Sequence, residues 1–282
     1  MNIIQSTPEW LRDLQFWFRR LQTKLPNRQF SNFGEQRIID KYIERLKIRE
    51  SSQTVVDIGA GDGIRSSNTY HLFSSGWTGV GIEVDKAKFE RLNRTYRPFR
   101  GVSACNSMIS PENVSEILRS YSIEPDFGLL SIDIDGNDYW VLDAILSKYR
   151  PRLLVAEYNE KIPPPVKFKV KFDPAFELRH HFFGYSISKL DDLLQRYDYA
   201  LLEIEYNNAF LAPKETPGVD AKAIIDAYDK GYRNRPDRRT KFPMNENMEI
   251  LQTLSPKDCV VFLDNFYFEH SGKYTIDVDQ VY

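Results

Sequence analysis

The sequence predicts an α/β fold: a doubly wound, seven-stranded sheet, six strands parallel and the last antiparallel, with helices before it and an extension after it. Three observations predict it. Short apolar runs alternate with helical stretches from residue 54 onward, the pattern of a parallel sheet covered on both faces. The first run ends in the glycine-rich turn Gly59-Ala60-Gly61-Asp62-Gly63, where the backbone must bend sharply. The last two runs are separated only by the tight-turn pair Asn207-Asn208, which makes them antiparallel.

A chain of 282 residues is enough for one large domain, or one domain with appendages. Hydrophobic residues at 41% and charged residues at 28% are an ordinary globular balance. With 38 basic and 40 acidic residues the net charge is -2, which argues against general nucleic-acid binding. The two cysteines, Cys105 and Cys259, form no CxxC pair and no Cys/His cluster. That argues against a thiolate zinc site and fits a reducing compartment. No apolar run approaches the roughly 20 residues of a membrane span, and the N-terminus lacks a signal peptide's apolar core. The expected location is therefore cytoplasmic. Asn93-Arg94-Thr95 and Asn113-Val114-Ser115 match the glycosylation tripeptide, a pattern that arises often by chance.

Residues 1–50 read as a helical N-terminal segment. Residues 8–25 form an amphipathic helix, with Thr7 as N-cap and Pro8 and Glu9 in the first turn. Trp10, Leu11, Leu14, Trp17, Phe18, Leu21 and Leu25 recur at helical spacing, with Arg12, Arg19, Arg20 and Lys24 largely off that stripe. Three fates are open to the stripe: it packs on its own domain, makes a dimer contact, or lies on the anionic inner face of a membrane. A second helix covers 34–46. Residues 51–213 carry the sheet, with strands at 54–58, 79–84, 99–104, 127–132, 152–157, 199–206 and 209–212. Helices lie at about 66–74, 87–94, 111–121, 139–148 and 188–196. Residues 160–187 break the rhythm with Pro163-Pro164-Pro165 and with Lys167, Lys169 and Lys171 alternating with Phe168, Val170 and Phe172. Following a strand end, they read as a substrate loop. Residues 214–282 are a C-terminal extension, polar around 229–241, whose apolar run 259–268 has no assigned element.

The chemistry gathers at strand ends. Val55, Val56 and Ile58 make a buried strand with Asp57 near its end, and Gly59, Gly61 and Gly63 then let a ligand approach the backbone. This pattern serves a dinucleotide or S-adenosylmethionine. Two acids favour the latter: Asp57 suits a cationic methionine end, and Asp62 would repel a pyrophosphate. The bland alternative is a turn with no ligand. Glu83, ending the second strand, is placed to accept both ribose hydroxyls of an adenosyl group. Asn106, after the third, can donate to and accept from adenine. After the fourth strand come Asp133, Asp135 and Asp138, and the fifth ends in Glu157-Tyr158-Asn159-Glu160. An oxygen-rich cluster of this kind holds Mg²⁺ or Ca²⁺, or supplies a general base. Capping of the following helix accounts for one aspartate. His180 and His181 are either a base with a near-neutral pKa or surface loop residues.

The runs FGEQRIIDKYI, VVDIGAGDGIRSSNTYHL, GWTGVGIEVD, LLSIDIDGNDYWVLDAI, PRLLVAEYNE and YNNAFLAP resemble bacterial methyltransferases of the FkbM-type group, over about residues 30–213. Members are often found near genes for surface polysaccharide or natural-product synthesis. The resemblance implies a class I, Rossmann-like methyltransferase that uses S-adenosylmethionine, with O-methylation as the commonest reaction. On it, Asp57, Gly59, Ala60 and Gly61 form the donor loop, Glu83 is the ribose acid, and Asp133 and Asp135 are the acidic segment, Asp133 also touching the donor. A more distant resemblance is to macrolide-sugar O-methyltransferases that use Mg²⁺, in which Asp135, Glu157 and Asn159 would be the counterpart ligands. This chain has Glu-Tyr-Asn where they carry paired aspartates. The expected activity is methylation of a hydroxyl on a sugar, glycan or glycosylated small molecule, with Asp133, Asp135 and His180 as catalytic candidates and Glu157 beside them. The rivals are an NAD-type oxidoreductase or epimerase, and a donor-binding protein without catalysis.

Overall fold

The computed structural model describes residues 8–23 and 28–278. Its strands are β1 (Thr54–Ile58), β2 (Thr78–Glu83), β3 (Val102–Asn106), β4 (Leu129–Ile132), β5 (Leu153–Glu157), β6 (Val166–Val170), β7 (Tyr199–Glu205), β8 (Asn208–Pro213) and β9 (Tyr274–Val278). Seven of them form one sheet in the order β3-β2-β1-β4-β5-β8-β7. Pairing is parallel from β3 to β5, while β8 runs antiparallel to both β5 and β7. The sheet is therefore Rossmann-like, with six parallel strands and one reversed. The reversed strand sits second from the edge, because the turn at Asn207 folds β8 back into the space between β5 and β7. Strand order reverses between β1 and β4, and ligands of open α/β sheets bind outside the carboxyl ends at such a point.

Helices cover both faces: α1 (Glu9–Gln22), α2 (Glu35–Arg45), α3 (Ile48–Ser51), α4 (Tyr70–Ser74), α5 (Lys86–Tyr96), α6 (Val114–Ser120), α7 (Asp138–Leu146) and α8 (Ile187–Arg196), followed by α9 (Ile224–Tyr228), α10 (Arg238–Lys241) and α11 (Pro256–Phe266). Alternation within β1 divides the core. Val56 and Ile58 pack with α6, α7 and α8, while Val55 packs with α2, α4 and α5. The predicted strands agree with these elements to within about three residues. The largest shift is at β3, predicted from residue 99. Phe99 closes a turn there instead, its amide donating to the Tyr96 carbonyl at 2.8 Å and its ring packing on Tyr70 and Tyr96.

Two readings change. The segment expected as a loop contains β6, which pairs antiparallel with β9 from the C-terminal extension. Val166, Phe168 and Val170 point inward onto α11 residues Cys259 and Leu263, so the extension closes a small second core. The lysines that made this segment look like a loop lie on its other face, where Lys169 sits 3.9 Å from the Trp140 ring centroid. The second change is α1. Thr7, Lys24 and Leu25 lie outside the described residues. Within them, Phe16 is buried, whereas Trp10, Leu14, Trp17, Phe18 and Leu21 face outward. What orients the helix is Arg91 on α5, a buried guanidinium that needs carboxylates. Asp13 accepts from its Nε at 2.9 Å, and Glu9 pairs with it as well. Both acids lie off the apolar stripe, so satisfying Arg91 turns the stripe to solvent.

Candidate functional site

A cavity of about 370 Å³ opens at the carboxyl ends of β1, β2 and β4, lined among others by Gly59, Gly61, Glu83, Lys88, Asp133 and Asp135. The loop after β1 is tied down on both sides. The amides of Gly59 and Ala60 each donate to the Ile82 carbonyl at 3.0 Å, and the Asp133 amide donates to the Ile58 carbonyl at 3.0 Å. Gly59 has φ +86°, and a Cβ there would lie 1.7 Å from the Asp133 carbonyl oxygen. Only glycine fits that crossing. Glu83 anchors the far side, its carboxylate accepting from the Gly61 amide at 2.9 Å and from the Asp85 amide at 2.8 Å. The structure thus places Gly59, Gly61 and Glu83 on the wall of one cavity.

Of the other expected donor contacts, Asp133 also lines the cavity, whereas Asp57, Ala60 and Asn106 do not. Asp57 is buried and accepts from Thr69 Oγ1 at 2.6 Å. Burial pushes its carboxyl up to about 6, against the lowering effect of that hydrogen bond. Ala60 is buried and does not line the cavity. Asn106 is on the surface, its amide nitrogen donating to the carbonyls of Glu83 (2.7 Å) and Val84 (3.0 Å). It braces the end of β2, and the cavity wall at this point is Ser107, Met108 and Ile109. Asp62 is also turned away. It accepts from the Ile64 and Arg65 amides and from Arg19 of α1 at 2.7 Å. Its charge is met by Arg19, which removes the argument that Asp62 selects against a pyrophosphate.

The acidic loop after β4 divides by role. Asp138 is buried and accepts from the Ile134 and Gly136 amides, each at 2.8 Å. Burial pushes it up to about 7. It shapes the loop. Asp135, held at φ +56°, and Asp133 are left open to the cavity. Across from them stands Glu157 at the end of β5. Oxygens of Asp133, Asp135 and Glu157 all lie within 4.8 Å of one another. Glu157 is 8% exposed. One of its oxygens accepts from Asn207 Nδ2 at 2.8 Å, and the other, Oε2, is buried without a hydrogen-bond partner. Three carboxylates this close do not all ionise. Burial and the charge on Asp133 drive Glu157 well above the usual carboxylate range. Asp133 is itself pushed up to about 6 by burial, and Asp135 is raised too, with Lys88 and Lys161 opposing. The donor set fits a small hard cation that takes oxygen ligands.

No family model matches the chain, and no curated protein matches its sequence. Several solved structures are similar to it. A putative O-methyltransferase from Klebsiella pneumoniae is 14% identical, covering 74% of this chain and 91% of that one at a TM-score of 0.44. An S-adenosylmethionine-dependent methyltransferase from Clostridium acetobutylicum is 9% identical over 72% and 98%, at 0.43. An amino pentose methyltransferase of calicheamicin biosynthesis from Micromonospora echinaspora, with S-adenosylmethionine bound, is 11% identical over 76% and 100%, at 0.42. Similarities of this size carry no argument about donor or acceptor.

Beyond the carboxylates lies a second cavity of about 260 Å³, lined by Glu157, Glu160, Lys161, His180, His181, Phe183, Asn207, Phe242, Met244 and Asn245. His180 is here, exposed and at φ +50°. His181 is 8% exposed, and burial and nearby Lys161 lower its pKa. Asn159 follows directly on the end of β5. It is fully buried, and its Nδ2 donates to the carbonyls of His181 and Phe183, each at 3.0 Å. It ties down the 181–183 turn, while its Oδ1 is buried without a hydrogen-bond partner. Sequence reasoning missed Lys88 and the roof residues Phe172, Pro174 and Phe176. Lys88 had a signal, since Asp85 caps α5 and its Oδ1 accepts from the Lys88 amide at 2.8 Å, which starts that helix directly after Glu83. It also missed Asn207, whose only visible role was the turn, and the contribution of Phe242 to Asn245, which are remote in sequence.

Proposed function

We propose that this chain is an S-adenosylmethionine-dependent methyltransferase that methylates a hydroxyl of a sugar or glycan. The observation that carries the reading is one arrangement: Gly59, Gly61 and Glu83 line one cavity, a second cavity lies apart from it, and Asp133, Asp135 and Glu157 converge between the two. The bound donor supplies a methyl group already activated on a positively charged sulfur. The chain must bring an acceptor oxygen in line with it and take up a proton. Glu83 is placed for ribose hydroxyls, and Asp133 and Asp135 put negative charge beside a cationic donor. Glu157 faces the second cavity and, when ionised, has the raised proton affinity suited to receive the acceptor's proton. Asn207 holds one Glu157 oxygen and leaves the other free.

The second cavity supports the sugar reading. Glu160, Lys161, Asn207 and Asn245 offer donors and acceptors for several hydroxyls, and Phe183 and Phe242 offer apolar faces for the C–H side of a ring. Asp133, Asp135 and Glu157 would hold a divalent cation if one is used, and it would supply charge neutralisation among them. Titration calorimetry with S-adenosylmethionine and with NAD tests the donor. Binding of the former alone is expected, and binding of NAD alone would replace this reading with the oxidoreductase one. Transfer of radiolabelled methyl to a panel of glycans and glycosylated small molecules tests the rest. Donor binding with transfer to no hydroxyl acceptor would leave a binding protein.

A further inference from the structure

We propose that the outward face of α1 docks on an anionic lipid surface. Trp10, Leu14, Trp17, Phe18 and Leu21 are between 47% and 67% exposed. At helical periodicity they fall within about 100° of arc. Single exposed apolar side chains are ordinary, but five on one stripe mark an interaction surface.

The charges of the helix are sorted to match. Its acids, Glu9 and Asp13, are held by Arg91 on the body of the protein, and Arg19 is held by Asp62. Arg12 and Arg20 have no carboxylate partner among the described residues. Arg20 borders the apolar arc, with its guanidinium 5.4 Å from the Trp17 ring centroid. The free charge of the helix is therefore positive. Tryptophan and arginine beside an aliphatic stripe suit the headgroup layer, where rings and cations reach phosphates while leucines enter the acyl region. A second copy of the chain is a poorer occupant. Over 14 residues the helix is about 21 Å long. Two such helices laid together cover less than the ~800 Å² per partner of a standard protein interface. A bilayer sets no such minimum, because each side chain that leaves water contributes by itself.

The full chain is mixed with phosphatidylcholine vesicles, with and without phosphatidylglycerol. Expected are sedimentation with the anionic vesicles, weakening by added salt, and a blue shift of tryptophan emission. Trp17→Glu and, separately, Leu14→Glu are expected to weaken binding by about tenfold or more. Both positions are exposed, so thermal melts of the variants should match wild type. Absence of vesicle binding by the wild-type chain overturns the proposal, and so does equal binding to neutral and anionic vesicles. A dimer that Trp17→Glu dissociates, with vesicle binding unaltered, overturns it in favour of self-association.

Discussion

At the scale of single residues, Glu83 has two tasks. Its carboxylate accepts from the amides of Gly61 and Asp85, and the same group faces the cavity where ribose hydroxyls are expected. Replacement by alanine removes a charged acceptor from both. Donor affinity in Glu83→Ala is expected to fall by about 1–3 kcal/mol, read as the dissociation constant by calorimetry. An unchanged constant would remove the ribose from this position. Residues with the strongest sequence signal differ in how far their roles were legible. Gly59 and Glu83 line the cavity. Asp57 and Asn106 stand at the expected positions but turn to Thr69 and to the β2 carbonyls. Their place on a strand was legible. Which neighbour claims a side chain is a matter of tertiary contact, and a sequence does not contain it. Asn159 is the same case, since its two acceptors come from a turn more than twenty residues on.

At the scale of elements, the cavity at the carboxyl ends of β1, β2 and β4 is roofed by the segment between β6 and α8. Trp140 Nε1 donates to the Val170 carbonyl at 2.9 Å, and Asn137 Nδ2 to the Asp173 carbonyl at 2.8 Å, so the acidic loop and the roof are joined. They also meet at Gly136, where an added Cβ would lie 2.3 Å from the Phe176 ring. Gly136→Ala should therefore displace Phe176 and weaken donor binding, although residue 136 does not line the cavity. About tenfold is expected if the roof loses its ring contact, from the apolar area re-exposed. Phe176→Ala makes room, so the double variant should be weaker than wild type by less than the sum of the single effects. Strictly additive losses in the dissociation constants would show that the two elements act separately. Such coupling was out of reach for sequence reading. β1, β4 and β5 were legible because each is a largely apolar run buried on both faces. β6 was not, because its lysines lie on the second core's outer side and its partner β9 is more than a hundred residues away. α1 was legible as a helix, but its inward face was set by Arg91, a single buried charge outside the pattern.

At the scale of the whole molecule, the acids with raised pKa predict how stability depends on pH. Desolvation raises Asp57 and Asp133 to about 6 and Asp138 to about 7, and Glu157 is raised well above its usual range. In the unfolded chain all four return to about 4. Between those values the folded chain holds more protons than the unfolded one, so stability falls as pH rises. Their contribution is fully present below about pH 4 and is lost as pH climbs through 6 to 7. Carboxylates lowered by ion pairs, such as Asp192 and Glu249, act in the opposite sense and lose their contribution only as pH falls below about 4. The melting temperature without divalent ions should therefore peak in mild acid and decline toward neutrality. If, as proposed, Asp133, Asp135 and Glu157 take a divalent cation, Mg²⁺ displaces protons among them near neutral pH. It should then restore part of the lost melting temperature in wild type and none in Asp135→Asn/Glu157→Gln. The double variant should also have a flatter pH profile, because it no longer carries two of the raised acids. If Mg²⁺ leaves the wild-type melt unmoved and methyl transfer survives EDTA dialysis undiminished, the cluster works by proton sharing alone. The proposal that Glu157 acts as base then stands without a metal.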